Sequence, residues 1–87
     1  MTNRQNMIEA IREFLGPKTF IKTTEEFSPE MRDGIWMTNA VRKALGGWRI
    51  YDVDFETGPS KVFGEFLKKH GWTLEMYDGD TVMLYPA

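Results

Sequence analysis

The chain has 87 residues, no cysteine and a formal net charge of −2, which excludes a disulfide framework or thiolate metal site and leaves too little chain for two separate cores. Hydrophobic residues make up 41% of it and aromatic residues 14%, enough for a packed interior and too much for a disordered chain. Residues 1–49 hold eight Lys/Arg against six Asp/Glu, and residues 50–87 three against seven, so a nucleic-acid contact would need a local patch, because bulk charge does not favour one.

These bounds predict one domain over residues 1–87. No apolar run is long enough to span a bilayer, and the polar opening Met1-Thr2-Asn3-Arg4-Gln5-Asn6 is unlike a signal peptide. The expectation is therefore a soluble, cytoplasmic chain without a membrane partner.

Thr2-x-x-Gln5 has capping-box spacing, and Met7, Ile8, Ile11, Phe14 and Leu15 recur at helical period up to Gly16-Pro17, which predicts an amphipathic first helix. Thr19 to Thr23 is short and β-branched and reads as a brief strand or an extended link. Two helix starts compete after it. Thr23-x-x-Glu26 would cap a single turn, whereas Ser28-Pro29-Glu30 supplies an N-cap, a proline at N1 and an acid on the dipole. The second is the stronger signal, and Met31, Ile35, Met37, Ala40, Val41, Ala44 and Leu45 keep a helical period to Gly46-Gly47, with Gly34 as a break point.

Trp48 to Phe55 reads as a strand with Tyr51, Val53 and Phe55 on one face and Asp52, Asp54 and Glu56 on the other. Gly58-Pro59-Ser60 opens a terminal helix whose apolar face is Val62, Phe63, Phe66 and Leu67 and whose end is Gly71. Trp72 to Tyr77 and Asp80 to Tyr85 then flank Asp78-Gly79, a pair that favours a type I′ hairpin turn. With those two residues at the turn centre, Trp72, Leu74, Met76, Thr81, Met83 and Tyr85 would face the core, leaving Val82 and Leu84 to be covered from the other side.

Reaction chemistry finds little support. His70 is the only histidine and sits in the last turn of a helix, where the dipole favours a cation; no nucleophile or orienting acid is marked beside it, and Ser28 and Ser60 are explained as N-caps. Asp52, Asp54 and Glu56 would suit a hard cation, but a solvated strand face produces the same alternation and no spaced calcium loop is present. Gly46-Gly47 enters a strand instead of opening a helix, which reverses phosphate-loop geometry. No catalytic residue, metal or cofactor is assigned.

Lys61, Lys68 and Lys69, with His70, gather on or near the polar side of the terminal helix, and Arg42, Lys43 and Arg49, with Arg32, form a second basic group around the expected middle helix. Together they are the candidate phosphate contacts. Glu75, Asp78 and Asp80 make the hairpin acidic, so the terminal helix would do most of any nucleic-acid binding. Six methionines and the aromatics suit either core or an adaptable contact surface, with Trp36, Tyr77 and Tyr85 as possible anchors.

Pro59-Ser60, Phe63-Gly64, Leu67-Lys68-Lys69 and Gly71-Trp72, followed by the hairpin to Tyr85, resemble the C-terminal winged-helix module of phage and viral primase-helicases, and Ile11 to Leu15 is similar to the first helix of that module. The likeness rests on about a third of the chain. It implies a small winged-helix-like α+β domain: three helices and a short antiparallel sheet ending in a C-terminal β-hairpin, with a role in nucleic-acid binding.

Two functions follow as expectations. One is a non-enzymatic nucleic-acid-binding protein of phage or mobile-element type, accessory to replication or transcription. The other is a protein-interaction module, such as an inhibitor or adaptor on a host protein, using Asp52, Asp54, Glu56, Glu75, Tyr77, Asp78 and Asp80.

Overall fold

The computed structural model describes residues 2–51 and 61–87. Its elements in chain order are α1 (Arg4–Leu15), β1 (Ile21–Thr23), α2 (Thr24–Phe27), β2 (Ile35–Thr38), β3 (Val41–Arg42), a turn of 3₁₀ helix (Lys43–Leu45), β4 (Trp48–Arg49), α3 (Lys61–Lys69), β5 (Trp72–Asp78) and β6 (Thr81–Pro86). This is a small α+β domain with three α-helices among the described residues, antiparallel sheets and a C-terminal hairpin.

The first helix forms where its periodicity places it, burying Met7, Ile8 and Ile11. Its cap is one residue later than the capping-box spacing suggests: Asn3 Oδ1 accepts the Asn6 N–H at 2.9 Å. Thr2 is instead turned to the end of α3, where its N–H donates to the His70 carbonyl at 2.9 Å. Gly16, at φ 122°, closes the helix by donating its N–H to the Arg12 carbonyl.

The middle of the chain departs from the expected long helix. Thr23-x-x-Glu26 is the start that operates, giving only the single turn α2, and Ser28 is its C-cap, not the N-cap of a helix through residue 45. Asp33 at φ 67° turns the backbone out of helical geometry. Ile35-Trp36-Met37-Thr38 then extends as β2, which lies between β1 and β6. Paired on both sides, these β-favouring residues bury Ile35 and Met37 at i and i+2. That arrangement outweighs a helical period that would have left Ile35 and Met37 on divergent directions. The remainder of the stretch becomes a small β3–β4 hairpin about the 3₁₀ turn, and the expected strand from Trp48 is described only as Trp48–Arg49. The part of it that carries Asp52, Val53, Asp54, Phe55 and Glu56, and the Gly58-Pro59-Ser60 cap of α3, lie outside the described residues.

The main sheet has the order β1-β2-β6-β5, antiparallel throughout. Its inner face carries Ile21, Ile35, Met37, Val82 and Leu84, all buried with Trp72 against Met7, Ile8 and Ile11 of α1 and Phe63 and Leu67 of α3. Phe14, Phe63 and Phe66 stack where the two helices meet.

The hairpin register corrects the expected one. Leu74 pairs with Leu84, Met76 with Val82 and Asp78 with Thr81, with a bulge between Met76 and Asp78. The two connecting residues are thus Gly79 and Asp80, and neither Asp78 nor Gly79 has the positive φ of a type I′ turn. Asp78 Oδ1 accepts the Asp80 N–H at 2.9 Å, a side-chain turn in its place. Tyr77 is the extra residue. Moving the turn by one flips every side chain of β6, so Val82 and Leu84 enter the core at 0% exposure while Met83 and Tyr85 move to the outer face. Full burial of each of those two aliphatic side chains is worth roughly 1.5–3 kcal/mol, which favours this register over one that would bury Thr81.

Candidate functional site

The connection from β1 to β2 folds over the outer face of the sheet and builds a surface there. Thr24 holds its base: it is fully buried, donates its N–H to the Gly34 carbonyl at 3.1 Å and accepts the Gly34 N–H on Oγ1 at 3.0 Å. Glu25 braces the loop from outside, accepting the Asp33 N–H at 3.1 Å and Arg4 Nη1 at 2.7 Å. The Asp33 N–H, then the bonds from its own backbone and from Arg4, hold the Glu25 carboxyl down to about 2. Glu26 is also lowered, first by the Thr23 N–H and then by the Thr23 hydroxyl.

So fixed, α2 projects Phe27 across the sheet. Its ring lies edge-on at 4.9 Å from Trp36 of β2 and at 4.9 Å from Tyr77 of β5. Because β6 runs between those two strands, a ring touching both must cross it, which accounts for the burial of Met83 on this face. Phe20 meets Trp36 edge-on at 5.2 Å from the opposite side. The outcome is an aromatic row, Phe20, Trp36, Phe27 and Tyr77, whose two ends are open: Phe20 is 37% and Tyr77 55% exposed. Met76, beside Tyr77 on the strand, is 51% exposed. Among the three possible anchors, Tyr77 is therefore the free one, while Trp36 and Tyr85 are half-buried; burial, before the nearby Glu75 and Glu25, raises the Tyr85 phenol.

The acidic residues of the hairpin adjoin this row. Glu75, Asp78 and Asp80 are all exposed, and with Tyr77 they occupy one strand and its turn. Asn39 anchors that turn from below. It is 3% exposed, accepts the Tyr51 N–H on Oδ1 at 2.8 Å, and donates Nδ2 to the carbonyls of Tyr51 and Gly79 at 3.0 and 3.3 Å. Its own N–H goes to the Asp80 carbonyl at 2.7 Å. One buried amide thus ties the β2–β3 link, the end of the β4 segment and the hairpin turn together.

The basic candidates fall in two places. Lys61, Lys68 and Lys69 are exposed on α3, where Lys61 Nζ lies 3.6 Å from Glu65. Arg42, Lys43 and Arg49 are brought together on the β3–β4 hairpin, but on different sides of it: Arg42 is opposite Trp48, with Nε buried and without a hydrogen-bond partner among the described residues, and Arg49 is opposite Val41, with Nη1 donating to the Asn39 carbonyl at 3.4 Å. Lys43 is exposed at the start of the 3₁₀ turn. Asp52, Asp54 and Glu56 lie outside the described residues.

His70 has a structural setting. Its Nδ1 is 2.8 Å from Thr2 Oγ1, its ring packs on Phe66 at 4.8 Å, and Trp72 Nε1 donates to the Thr2 carbonyl at 2.6 Å. Together these contacts clip the N-terminal segment to the turn between α3 and β5. Among the described residues no three His, Asp or Glu side chains converge as metal ligands, and no helix is long and apolar enough to cross a membrane.

Phe27, Gly34 and Asn39 carry no site signal in the sequence, whereas Met76 is one of the methionines that suit an adaptable contact surface as well as core. The Thr23-x-x-Glu26 box was the available signal for Phe27, since a single capped turn places residue 27 at its end. Set against known protein families, curated proteins and solved structures, the chain matches none.

Proposed function

We propose that this protein is a non-enzymatic interaction module that docks on another protein through the exposed β5 edge of its sheet. The observation that carries this is the pairing of Tyr77 and Met76: consecutive large apolar residues on one strand, both more than half exposed, with Glu75, Asp78 and Asp80 as their rim. Aromatic and methionine anchors within a polar rim are the composition of a recognition surface. The Tyr77 ring is already held against Phe27, which lowers the ordering cost of binding.

A photo-crosslinking residue placed at position 77, and separately at 68, tests the reading in lysate of cells that make the protein. The expected result is one defined protein adduct from position 77 and none from position 68, with the purified partner binding wild type and not Tyr77→Ala. Crosslinks from 77 that are absent or indiscriminate would overturn it.

The exposed Lys61, Lys68 and Lys69 of α3 favour a second reading, the winged-helix-like one: nucleic-acid binding by α3, with Arg42, Lys43 and Arg49 on backbone phosphates. Mobility shift with duplex and single strands decides it. A shift that weakens steeply with salt supports this reading, and no shift even at low salt ends it.

A further inference from the structure

We infer that β5 is an acceptor edge for an extended, Lys/Arg-bearing segment of a partner protein, which adds to the sheet as a fifth strand. The inference rests on the protein-interaction reading and names its partner chemistry and mode of contact. β5 ends the order β1-β2-β6-β5, and it is the longest strand of the sheet at seven residues. Among the described residues, Thr73 to Asp78 make no backbone hydrogen bond other than those to β6. The strand therefore presents a row of unpaired N–H and C=O groups along its outer side, the template for strand addition. The other edge, β1, is only three residues long.

Side chains on both faces of this edge say what would pair there. On the inner face, Leu74 is half-buried and Met76 is 51% exposed, so alternate residues of an added strand would meet apolar surface. On the outer face stand Glu75 and the exposed Tyr77 ring. From Gly71 to Ala87 the chain has no Lys, Arg or His, and its charges are Glu75, Asp78 and Asp80. A cation opposite Glu75 makes a favourable cross-strand pair, with the aromatic face of Tyr77 as a second attraction. A second copy of this chain is the poorer occupant, because edge-to-edge pairing of β5 with itself sets Glu75 and Asp78 against the same carboxylates.

Selection of a displayed library of random peptides on the full chain tests the inference. The enriched peptides are expected to alternate β-branched or aromatic residues with Lys or Arg. A synthetic peptide of the enriched sequence should shift the amide resonances of residues 73–78. N-methylation of alternate peptide amides keeps the side chains but removes the edge bonds. One parity should weaken binding about tenfold or more and the other little, as expected for the loss of one or two hydrogen bonds of ordinary net strength. Glu75→Lys, at an exposed site that leaves the fold intact, should weaken the basic peptide by a similar factor.

The inference is overturned if no peptide is enriched, if both N-methylated parities bind as tightly as the parent, or if the shifts fall on α3. A concentration-dependent dimer abolished by changes in β5 would also overturn it, in favour of a second copy. A protein crosslink from position 77 with peptide binding insensitive to N-methylation would sink strand addition alone. Absence of any specific protein crosslink sinks the interaction reading on which it rests.

Discussion

Gly34 and Tyr85 are in contact so close that a Cβ added to Gly34 would lie 2.6 Å from Tyr85 Cε1, with the Leu84 carbonyl oxygen and Thr24 Cγ2 each at 2.8 Å. The position has no positive φ, so glycine is required there by space and not by backbone conformation. This is how the β1–β2 connection comes to lie flat on the outer face of the sheet.

Gly34→Ala is accordingly expected to destabilise the protein by about 2–3 kcal/mol, because one of the clashing atoms is backbone and cannot rotate away. For a domain of this size that is a fall in Tm of roughly 10–20 °C, read by calorimetry or circular dichroism. Gly79→Ala is the contrasting case. Its Cβ would meet nothing within 4 Å and its φ is ordinary, so stability should hold or rise by up to about 1 kcal/mol through the unfolded chain. A large loss at Gly79 would restore the type I′ turn that the bulged register displaces.

Acid should weaken the outer-face loop before it touches the core. The Glu25 carboxyl is held at about 2 against an ordinary 4.5, and Glu26 is lowered as well. Glu25, having a folded value below its unfolded one, contributes stability that is fully present above pH about 4.5 and is lost as pH falls toward about 2, and Glu26 contributes in the same direction. Urea midpoints measured from pH 6 down to 2 should fall across that window, and Glu25→Gln should flatten the fall. An unchanged acid limb in Glu25→Gln would count against the Asp33 and Arg4 contacts.

Asn39→Ala should cost about 3 kcal/mol, since it strips partners from the Tyr51 N–H, the Tyr51 carbonyl and the Gly79 carbonyl at once. Asn39→Asp keeps the bond to Tyr51 N–H but turns two donors into an acceptor facing carbonyls, and it should be no better. Hydrogen exchange is the sharper readout, with faster exchange expected at Tyr51 and around the turn at residues 78–81 while α1 keeps its protection.

Tyr77→Ala is expected to leave stability within about 1 kcal/mol of wild type, because the ring is more than half exposed and loses one edge contact with Phe27. The same variant should abolish binding of the purified partner. A change in melting temperature comparable to that of Gly34→Ala would instead make Tyr77 a structural residue.

The ends of the chain were legible as sequence because their signals are local. Met7, Ile8 and Ile11 share one helical face, Gly16-Pro17 stops it, and Phe63 and Leu67 recur at i and i+4 before Gly71; a turn of helix and its cap need only the neighbouring residues to form. The β-branched Thr19 to Thr23 segment and the terminal hairpin were legible for the same reason. The candidate site was less so. Tyr77, its acidic neighbours and the methionines stood out as residue types, but Phe27 and Asn39 acquire their roles from contacts with residues far along the chain.

What only the tertiary structure decided is which of two locally acceptable patterns prevailed. Residues 31–45 satisfy a helical period, yet Ile35 to Thr38 is claimed as a strand by β1 on one side and β6 on the other, and pairing energy from distant partners outweighs propensity. The Asp78-Gly79 pair satisfies a two-residue turn, yet a bulge at Tyr77 moves the turn by one, which sends Val82 and Leu84 into the core and leaves Tyr77 outside it. The sequence by itself determined α1, α3, the presence of the terminal hairpin and their charges. Burial against the rest of the fold chose the register, and with it the face that β5 offers to a partner.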